Sequence, residues 1–295
     1  MTALVHTKAD LAKARAALPG RVAVVPTMGA LHDGHLALIE RAGEIADSVI
    51  VTVFVNPLQF RPNEDLDKYP RTLDADVARC EAAGVDVVFA PSEEEIYPDG
   101  RADVTKVHPR EGGEILEGES RPGFFTGVLT VVAKLFHLTR PDVACFGAKD
   151  FQQVAMVRRM VRDLDFPVEI ETVPTVREAD GLAMSSRNAY LSASQRRTAL
   201  AVPRALRAAQ AEAVALVGAG VSDLDYARRI HDAALAVLEA EPGLVVDYVR
   251  LRSNFFSVPF VHNNIARILI AVKVGDTRLI DNALVVVKKG WTPDV

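Results

Sequence analysis

The chain has 295 residues, of which 49% are hydrophobic and 25% charged, a balance typical of a globular protein that buries a sizeable core. Its length favours about two domains, and its formal net charge of −5 argues against a surface that coats nucleic acid. No apolar run approaches the ~20 residues that cross a bilayer, and the N-terminus lacks a secretory signal. We therefore expect a cytoplasmic protein with neither a membrane nor a nucleic acid as its partner.

Over the first 175 residues, short apolar runs alternate with helical patterns. The predicted strands, in chain order, are Arg21–Pro26, Ser48–Val55, Val85–Ala90, Asp142–Phe146 and Val168–Val173. The predicted helices are a stretch ending near Ala46, then Asp74–Ala83, Val128–Leu138 and Phe151–Leu164. Because the strands show little polar alternation and are separated by helices, we predict a parallel sheet that is covered on both faces.

The pattern changes after about residue 176. Two Ala- and Arg-rich helical stretches, Ser194–Val217 and Ser222–Glu239, precede three strand-like runs, Leu244–Leu251, Ile265–Val274 and Thr277–Val287. Gly275-Asp276 between the last two runs is a hairpin signal. The sequence therefore predicts an α/β domain at residues 1–175 and a smaller α+β domain at residues 176–295.

The strongest candidate site is Pro-Thr-Met-Gly-Ala-Leu-His-Asp-Gly-His at residues 26–35, which follows the first predicted strand and opens a helix. Ligands gather at the carboxyl ends of parallel strands, and a helix N-terminus offers unpaired N–H groups to phosphate. Gly29 and Gly34 allow a close backbone approach, while His32 and His35 share one helix face and can donate to phosphate oxygens. The structural alternative is a pair of surface histidines at a turn.

Two common phosphate-binding loops are absent from the sequence. It contains no Gly-x-x-x-x-Gly-Lys-Ser/Thr, and no Gly-x-Gly-x-x-Gly follows the first predicted strand. A phosphate site without these loops is better suited to attack at an α-phosphate than to γ-phosphoryl transfer or dinucleotide binding.

Three further segments carry candidate ligands. In Met-Ser-Ser-Arg at residues 184–187, two hydroxyls and a guanidinium can clamp a triphosphate, although a polar turn capping the next helix is the alternative. Lys149 lies at a strand-to-helix turn and suits a phosphate, or is simply solvated. Gln59, in Phe-Val-Asn-Pro-Leu-Gln-Phe, can hydrogen-bond a buried substrate, or is a polar turn residue.

Together these motifs resemble a known family. His-x-Gly-His with Met-Ser-Ser-Arg is similar to the signature of the nucleotidyltransferase superfamily, which includes class I aminoacyl-tRNA synthetases. Four further segments point to one family within this superfamily; they lie at residues 54–60, 69–72, 177–187 and 277–282. Over roughly residues 20–250, the chain resembles the pantothenate synthetases, or pantoate–β-alanine ligases. This resemblance implies a Rossmann-like nucleotidyltransferase domain with a smaller lid domain. It also implies ATP-dependent condensation of pantoate with β-alanine to pantothenate, AMP and pyrophosphate through a pantoyl adenylate.

The resemblance implies roles for individual residues. The catalytic residues are His32, His35, Lys149 and Arg187, which neutralise charge at the α-phosphate and the departing pyrophosphate, with His35 as the proton donor. The substrate-binding residues are Gln59, shared by pantoate and β-alanine, and Gln153, which binds pantoate. The ATP-binding residues are Met28, Gly29, Ala30, Leu31, His32, Asp33, Gly34, His35, Gly147, Ala148, Lys149, Asp150, Val176, Met184, Ser185, Ser186 and Arg187.

The resemblance also implies Mg²⁺ bridging the phosphates, and a homodimer. Asp76 is the only clear match to the metal ligands of the family, because Ala75 and Arg79 stand at the neighbouring positions. Phe124 stands where the family usually has a histidine, so no role is assigned to it, and Ser253–Asn264 departs from the usual short connection. Two alternatives stay open: a cytidylyltransferase of the same superfamily, and a non-catalytic ATP-binding regulatory module.

Overall fold

The computed structural model describes residues 2–61, 64, 66–253 and 265–286. The chain forms two compact units: the first contains Met1–Ala148 and Gln152–Val176, and the second contains Lys149–Phe151 and Arg177–Val295. The domain division at residue 175 that the sequence predicts stays a prediction.

The first unit alternates strands and helices. Its elements are β1 Ala3–Val5, α1 Lys8–Ala17, β2 Val22–Thr27, α2 Asp33–Ile45, β3 Ser48–Val53, α3 Leu73–Ala82, β4 Val87–Phe89, α4 Glu93–Ile96, α5 Glu117–Ser120, α6 Phe124–Thr139, β5 Val143–Gly147, α7 Phe151–Asp163 and β6 Glu169–Val173. Short 3₁₀ turns lie at Pro57–Gln59, Arg110–Gly113 and Ala148–Asp150. Phe151, the first residue of α7, is grouped with the second unit.

The six strands form one parallel sheet in the order β1-β4-β3-β2-β5-β6. In β2, Val22 and Val24 pack into one hydrophobic cluster with residues of α1, α6 and α7, and Ala23 and Val25 pack into another with residues of α2 and α3. Because alternate side chains of a strand point to opposite faces, a continuous apolar run fills both cores. The predicted α/β fold with a doubly covered Rossmann-like sheet is confirmed.

The strand order places the site at the sheet centre. From β2 the chain moves to β3 on one side, and β5 pairs with β2 on the other side. The strand order reverses between β2 and β5, and in an open α/β sheet a ligand binds in the crevice outside the carboxyl ends of the strands at such a point. The segments that follow β2, β3 and β5, which carry three of the predicted motifs, therefore lie at the same edge of the sheet.

The sequence pattern did not predict β1 or α1. β1 is a three-residue edge strand whose Ala3 and Leu4 are exposed, and in α1 Leu11 is the buried residue. Elements with so little apolar surface give a weak periodic signal. By contrast, α6 begins at Phe124, four residues before its predicted start, directly after Gly123 in a left-handed conformation with φ of 86°.

The second unit contains α8 Ala193–Ala199, α9 Ala201–Ala215, α10 Asp223–Glu239, β7 Leu244–Ser253, β8 Ile265–Val274 and β9 Thr277–Val286. The strands form an antiparallel sheet in the order β7-β8-β9, with the predicted hairpin at Gly275-Asp276, so the smaller α+β prediction is confirmed. The departure at Ser253–Asn264 lies, from residue 254 onward, outside the described residues, as does Val287.

The helix predicted over Ser194–Val217 is two helices that meet at Leu200. Pro203 lies in the first turn of the second helix, where its missing N–H is tolerated. In one continuous helix its ring would clash with the carbonyl of Ala199, so the chain restarts instead. Across the described ranges, no helix is long and apolar enough to pass through a membrane.

Candidate active site

The turn between β2 and α2 has an unusual backbone that internal acceptors hold in place. Gly29 and Ala30 have φ angles of 80° and 51°, both in the left-handed region. The N–H of Gly29 donates to Thr27 Oγ1 at 3.1 Å. The N–H groups of Ala30 and Leu31 donate to the two carboxylate oxygens of Asp76 at 3.0 and 2.8 Å. The turn is therefore tied to its neighbours by three hydrogen bonds.

His32 and His35 form a reciprocal cap at the start of α2. Nδ1 of His32 accepts the N–H of Gly34 at 3.1 Å, and Nδ1 of His35 accepts the N–H of His32 at 3.3 Å. The ring centroids lie 4.1 Å apart. Because a backbone N–H can only donate, each Nδ1 is an acceptor, and the proton of each neutral ring is assigned to Nε2.

The sequence predicted that unpaired N–H groups at this helix start face a phosphate, and the structure differs. The N–H groups of Gly29, Ala30, Leu31, His32 and Gly34 all have acceptors within the protein. Asp76 and the histidine rings thus occupy the positions from which an anionic ligand would accept these hydrogen bonds. Asp33, also predicted to contact ATP, is exposed and lies 3.5 Å from the guanidinium of Arg79.

Gln59 lies at the end of the turn that follows β3, and Asn56 holds its side chain. Asn56 is 1% exposed, and its Nδ2 donates to Gln59 Oε1 at 3.0 Å and to the carbonyl of Gly127 at 3.1 Å. Gln59 Nε2 is 3.0 Å from the sulfur of Met28. The predicted residues Met28 and Gln59 are therefore in direct contact.

Tyr97 completes this hydrogen-bonded group. Its hydroxyl donates to Asn56 Oδ1 at 2.8 Å. Burial, with a smaller contribution from Glu93, raises the pKa of Tyr97 well above its usual range, so the phenol keeps its proton and can only be a donor to Asn56 at neutral pH. Sequence reasoning missed Asn56 and Tyr97, although Asn before Pro is a signal for a capped turn.

Gly127 lets α6 approach this turn closely. A Cβ added at Gly127 would lie 2.1 Å from the carbonyl oxygen of Leu58 and 2.8 Å from the backbone nitrogen of Gln59. Any side chain there would push the turn away from the helix. The position of Gln59 therefore depends on a glycine that lies 68 residues further along the chain.

A cleft of about 280 Å³ opens beside the same turn. Its lining residues are Leu58, Gln59, Phe60, Arg61, Lys106, Pro122, Gly123, Phe124, Thr126 and Gly127. Phe124, at the position where the resembling family has histidine, lies under the guanidinium of Arg121 at 3.9 Å. Arg121 also bonds the carboxylate of Glu64 and the carbonyl of Gln59, so Phe124 contributes packing to the arginine that supports Gln59.

The two adjacent glutamines of α7 have different environments. Gln152 is 3% exposed, and its amide accepts from the N–H of Glu117 and donates to the carbonyls of Gly112 and Ile115. Gln153 is half-buried, and its side chain makes no hydrogen bond to any of the residues that the structure describes. Gln152 is therefore structural, whereas the amide of Gln153 is available to a ligand.

The remaining predicted residues of the first unit lie near the carboxyl ends of β5 and β6. Gly147 is the last residue of β5, and Ala148 after it is buried. Val176 lies three residues beyond β6 and is half-buried. Their apolar character is compatible with packing against a base or a ribose, and none of the three carries a polar side chain.

In the second unit, a buried group holds the backbone at Lys149. Asn282, 4% exposed, donates from Nδ2 to the carbonyl of Lys149 at 2.8 Å. Arg267 donates to Asn282 Oδ1, and its guanidinium lies 3.9 Å above the ring of Phe151. Burial lowers the pKa of Arg267 to about 10. The side chains of Lys149 and Asp150 are half-buried and form no ion pair within the described ranges.

The second unit also carries the Met184–Arg187 loop, whose four residues are half-buried. Ser185 begins a 3₁₀ turn that contains Ser186, and its hydroxyl accepts the N–H of Arg187 at 3.3 Å. After the loop, Asn188 donates to Glu178 Oε1 at 2.6 Å and to the carbonyl of Ala183 at 3.0 Å.

The other charged residues of the 177–187 segment pair within the second unit. Glu178 and Asp180 both accept from the guanidinium of Arg196, at 2.6 and 2.7 Å. Arg177 donates to both oxygens of Asp281, at 2.6 and 3.0 Å. The charged side chains of the 177–187 segment therefore hold in place the loop that carries Ser185, Ser186 and Arg187.

Asp76 does not fit the role of metal ligand. It is 2% exposed, and its oxygens already accept two backbone N–H groups and the hydroxyl of Thr72. A Mg²⁺ site needs carboxylate oxygens that face water or phosphate. Among the described residues, no group of three or more His, Cys, Asp or Glu side chains could hold a metal ion.

The comparisons with known proteins identify the family of the chain. The family model described as pantoate-beta-alanine ligase matches residues 3–284. A pantothenate synthetase of Salinispora arenicola is 56% identical over 96% of this chain and 97% of its own length. One of Nocardia farcinica is 54% identical over 94% of this chain and 83% of its own.

Solved structures show the same likeness. A crystal structure of pantothenate synthetase from Thermus thermophilus is 47% identical, has a TM-score of 0.85, and covers 95% of this chain and 98% of its own. A pantoate-beta-alanine ligase from Francisella tularensis, complexed with β-γ ATP and β-alanine, is 35% identical, with a TM-score of 0.77 over 96% of this chain and 98% of its own. This chain therefore belongs to the pantoate–β-alanine ligase family.

Proposed function

We propose that the protein condenses pantoate with β-alanine, converting ATP to AMP and pyrophosphate through a pantoyl adenylate. The observation that carries the proposal is the pair of histidines at the start of α2, after the central strand β2. Each has its ring proton assigned to Nε2, in a chain that the family model matches over residues 3–284. The Francisella tularensis relative, complexed with β-γ ATP and β-alanine, supports the same pair of substrates.

In the first step, a carboxylate oxygen of pantoate attacks the α-phosphate of ATP, and pyrophosphate leaves. Negative charge grows on the phosphoryl oxygens, and donors fixed beforehand stabilise such charge best. Nε2–H of His32 and of His35 suits this role, because the capping bonds hold both rings in place. Lys149 and Arg187 supply the positive charge that neutralises the triphosphate, with Ser185 and Ser186 as hydroxyl donors.

In the second step, the amine of β-alanine attacks the mixed anhydride, forms the amide bond and releases AMP. Gln59 and Gln153 orient the substrates, because an amide both donates to and accepts from hydroxyl and carboxylate groups. The bonds from Asn56 restrict the Gln59 side chain before a substrate arrives. Such restriction lowers the entropy that binding must overcome.

Further parts of the proposal rest on the family likeness. Mg²⁺ would accompany ATP and would be held mainly by the phosphates and water, because both oxygens of Asp76 already accept hydrogen bonds from the protein. The protein acts as a cytoplasmic homodimer, and its chain divides into two domains at residue 175. Sedimentation velocity, which should give the mass of two chains, tests the dimer.

Exchange of labelled pyrophosphate into ATP tests the proposal. Purified protein with MgATP and pantoate should catalyse exchange without β-alanine, because the adenylate forms before the amine is needed. Omitting pantoate should abolish the exchange. Exchange that depends on CTP would identify a cytidylyltransferase, and ATP binding without exchange would identify a regulatory module. Exchange that starts only after β-alanine is added would overturn the two-step reaction.

A further inference from the structure

A buried carboxylate connects α3 to the turn that precedes the two histidines. Asp76 accepts the N–H of Ala30 on Oδ2 at 3.0 Å and the N–H of Leu31 on Oδ1 at 2.8 Å. The Thr72 hydroxyl donates to Oδ2 at 3.2 Å. Both oxygens are thus committed to the protein, and one side chain fixes two consecutive residues of a turn that lies 45 residues earlier in the chain.

The turn needs such an acceptor because its conformation is strained. Ala30 has a φ of 51°, where a residue with a Cβ is disfavoured by about 1–2 kcal/mol relative to the right-handed region. Gly29 beside it has a φ of 80°. Consecutive N–H groups in such a turn form a concave site for an anion. Here the anion is a side chain of the protein itself.

The charges around Asp76 argue against a cation at the same place. Arg79, one turn further along α3, lies 3.5 Å from Asp33. Ala75, the residue before Asp76, offers no oxygen from its side chain. A divalent cation would meet one carboxylate whose two oxygens already accept hydrogen bonds, with an arginine instead of a neutral ligand one turn away.

We propose that Asp76 is a positioning residue of the adenylation site: its carboxylate holds the Ala30–Leu31 turn and thereby sets the position of His32 and His35, and it does not bind Mg²⁺. This inference rests on the proposed function, since it assigns the histidines to the α-phosphate. His32 directly follows Leu31, so a shift of the turn moves the ring that caps α2. A misplacement of about 1 Å can cost about a hundredfold in rate.

The test is Asp76→Asn, compared with two controls in pantoate-dependent pyrophosphate exchange. The amide keeps the size of the side chain, but its NH₂ group would face a backbone N–H instead of accepting from it. Asp74→Asn makes the same chemical change at an exposed position two residues earlier, and Glu81→Gln neutralises another exposed carboxylate of α3. We expect kcat to fall about tenfold or more in Asp76→Asn, and to stay within about twofold in both controls.

The dependence on Mg²⁺ separates positioning from metal binding. In Asp76→Asn, the Mg²⁺ concentration that gives half-maximal exchange at saturating ATP should equal that of the unaltered protein. A tenfold rise in that concentration, with kcat restored at saturating Mg²⁺, would overturn the proposal. Unchanged kcat in the folded variant would overturn it as well.

The unaltered protein provides a second test that does not depend on activity or on folding of the variant. MgCl₂ alone, at millimolar concentration, should leave the amide resonances of Ala30 and Leu31 in place and their hydrogen exchange slow. Fast exchange of these two amides, or a shift on adding Mg²⁺, would contradict the assignment. If the unaltered protein shows no exchange of pyrophosphate, the proposed function fails, while the amide measurement still decides whether Asp76 holds the turn.

Discussion

The ion pair between Arg177 and Asp281 provides a quantitative test of how the second unit is stabilised. The side chain of Asp281 is 2% exposed and that of Arg177 is 33% exposed. Two donor nitrogens of the guanidinium contact the two carboxylate oxygens, and Arg177 also donates to the carbonyl of Gly181 at 3.1 Å. The change Arg177→Met removes these bonds and keeps most of the apolar stem, so it leaves a buried carboxylate without the cation that donates hydrogen bonds to it.

The expected loss follows from burial. Removing one partner of a fully buried ion pair costs about 3–5 kcal/mol. The partial exposure of Arg177 admits water, and the N–H of Asn282 still donates to Asp281 Oδ1 at 2.8 Å. We therefore expect Arg177→Met to destabilise the second unit by about 2–3 kcal/mol. Adding Asp281→Asn should recover part of the loss, because the side chain that has lost Arg177 is then neutral.

Hydrogen exchange of the β9 amides measures the free energy of opening of this strand without requiring that the two units unfold together. Arg228→Met is the matched control in the same unit, because its partner Asp225 is 49% exposed and Arg228 itself 67% exposed. Such a surface pair contributes less than about 1 kcal/mol. An Arg177→Met loss no larger than that of the control, or no recovery on adding Asp281→Asn, would refute the reasoning.

Three further predictions concern the proposed site. His35→Ala and Lys149→Ala should each lower the turnover of pyrophosphate exchange by ~10²–10³ without unfolding the protein, and near-normal turnover would remove that residue from the mechanism. Gln153→Ala should raise the pantoate KM by roughly tenfold or more and leave the calorimetric ATP affinity unchanged. Gln152→Ala should instead lower the urea midpoint of unfolding, because the loss of the Gln152 amide leaves buried backbone groups unpaired. Gly127→Ala should raise the pantoate KM and destabilise the protein by about 1–3 kcal/mol, and a variant with normal kinetics would show that the turn tolerates displacement.

The fold could be predicted from the sequence where apolar periodicity was strong. The run at Val22–Thr27 is apolar on both faces, and the sheet buries both faces. Short elements with few buried residues, such as β1, were not predictable because they depend on tertiary pairing with β4. The break at Leu200 was signalled by Pro203, which a purely periodic interpretation overlooked.

The candidate site was predictable as a set of residues but not as a set of contacts. The motif order indicated which residues matter, yet the sequence could not separate ligand-binding side chains from those that hold them. Asp76 looks like a functional acid in the sequence, and in the structure it accepts hydrogen bonds from the protein. Gly127 gave no local signal, because its importance arises from the approach of a distant turn.

The reciprocal cap of His32 and His35 restricts the substitutions that the start of α2 can accept. Ser, Thr, Asp and Asn are the usual caps of a helix, and each could accept the N–H of Gly34 in place of the His32 ring. None of them carries an aromatic N–H on the far side of the side chain. A mutation at either histidine is therefore selected against for two separate reasons, the integrity of the helix and the chemistry in front of it. His32→Asn would separate the two, since it keeps a strong cap and removes only the ring.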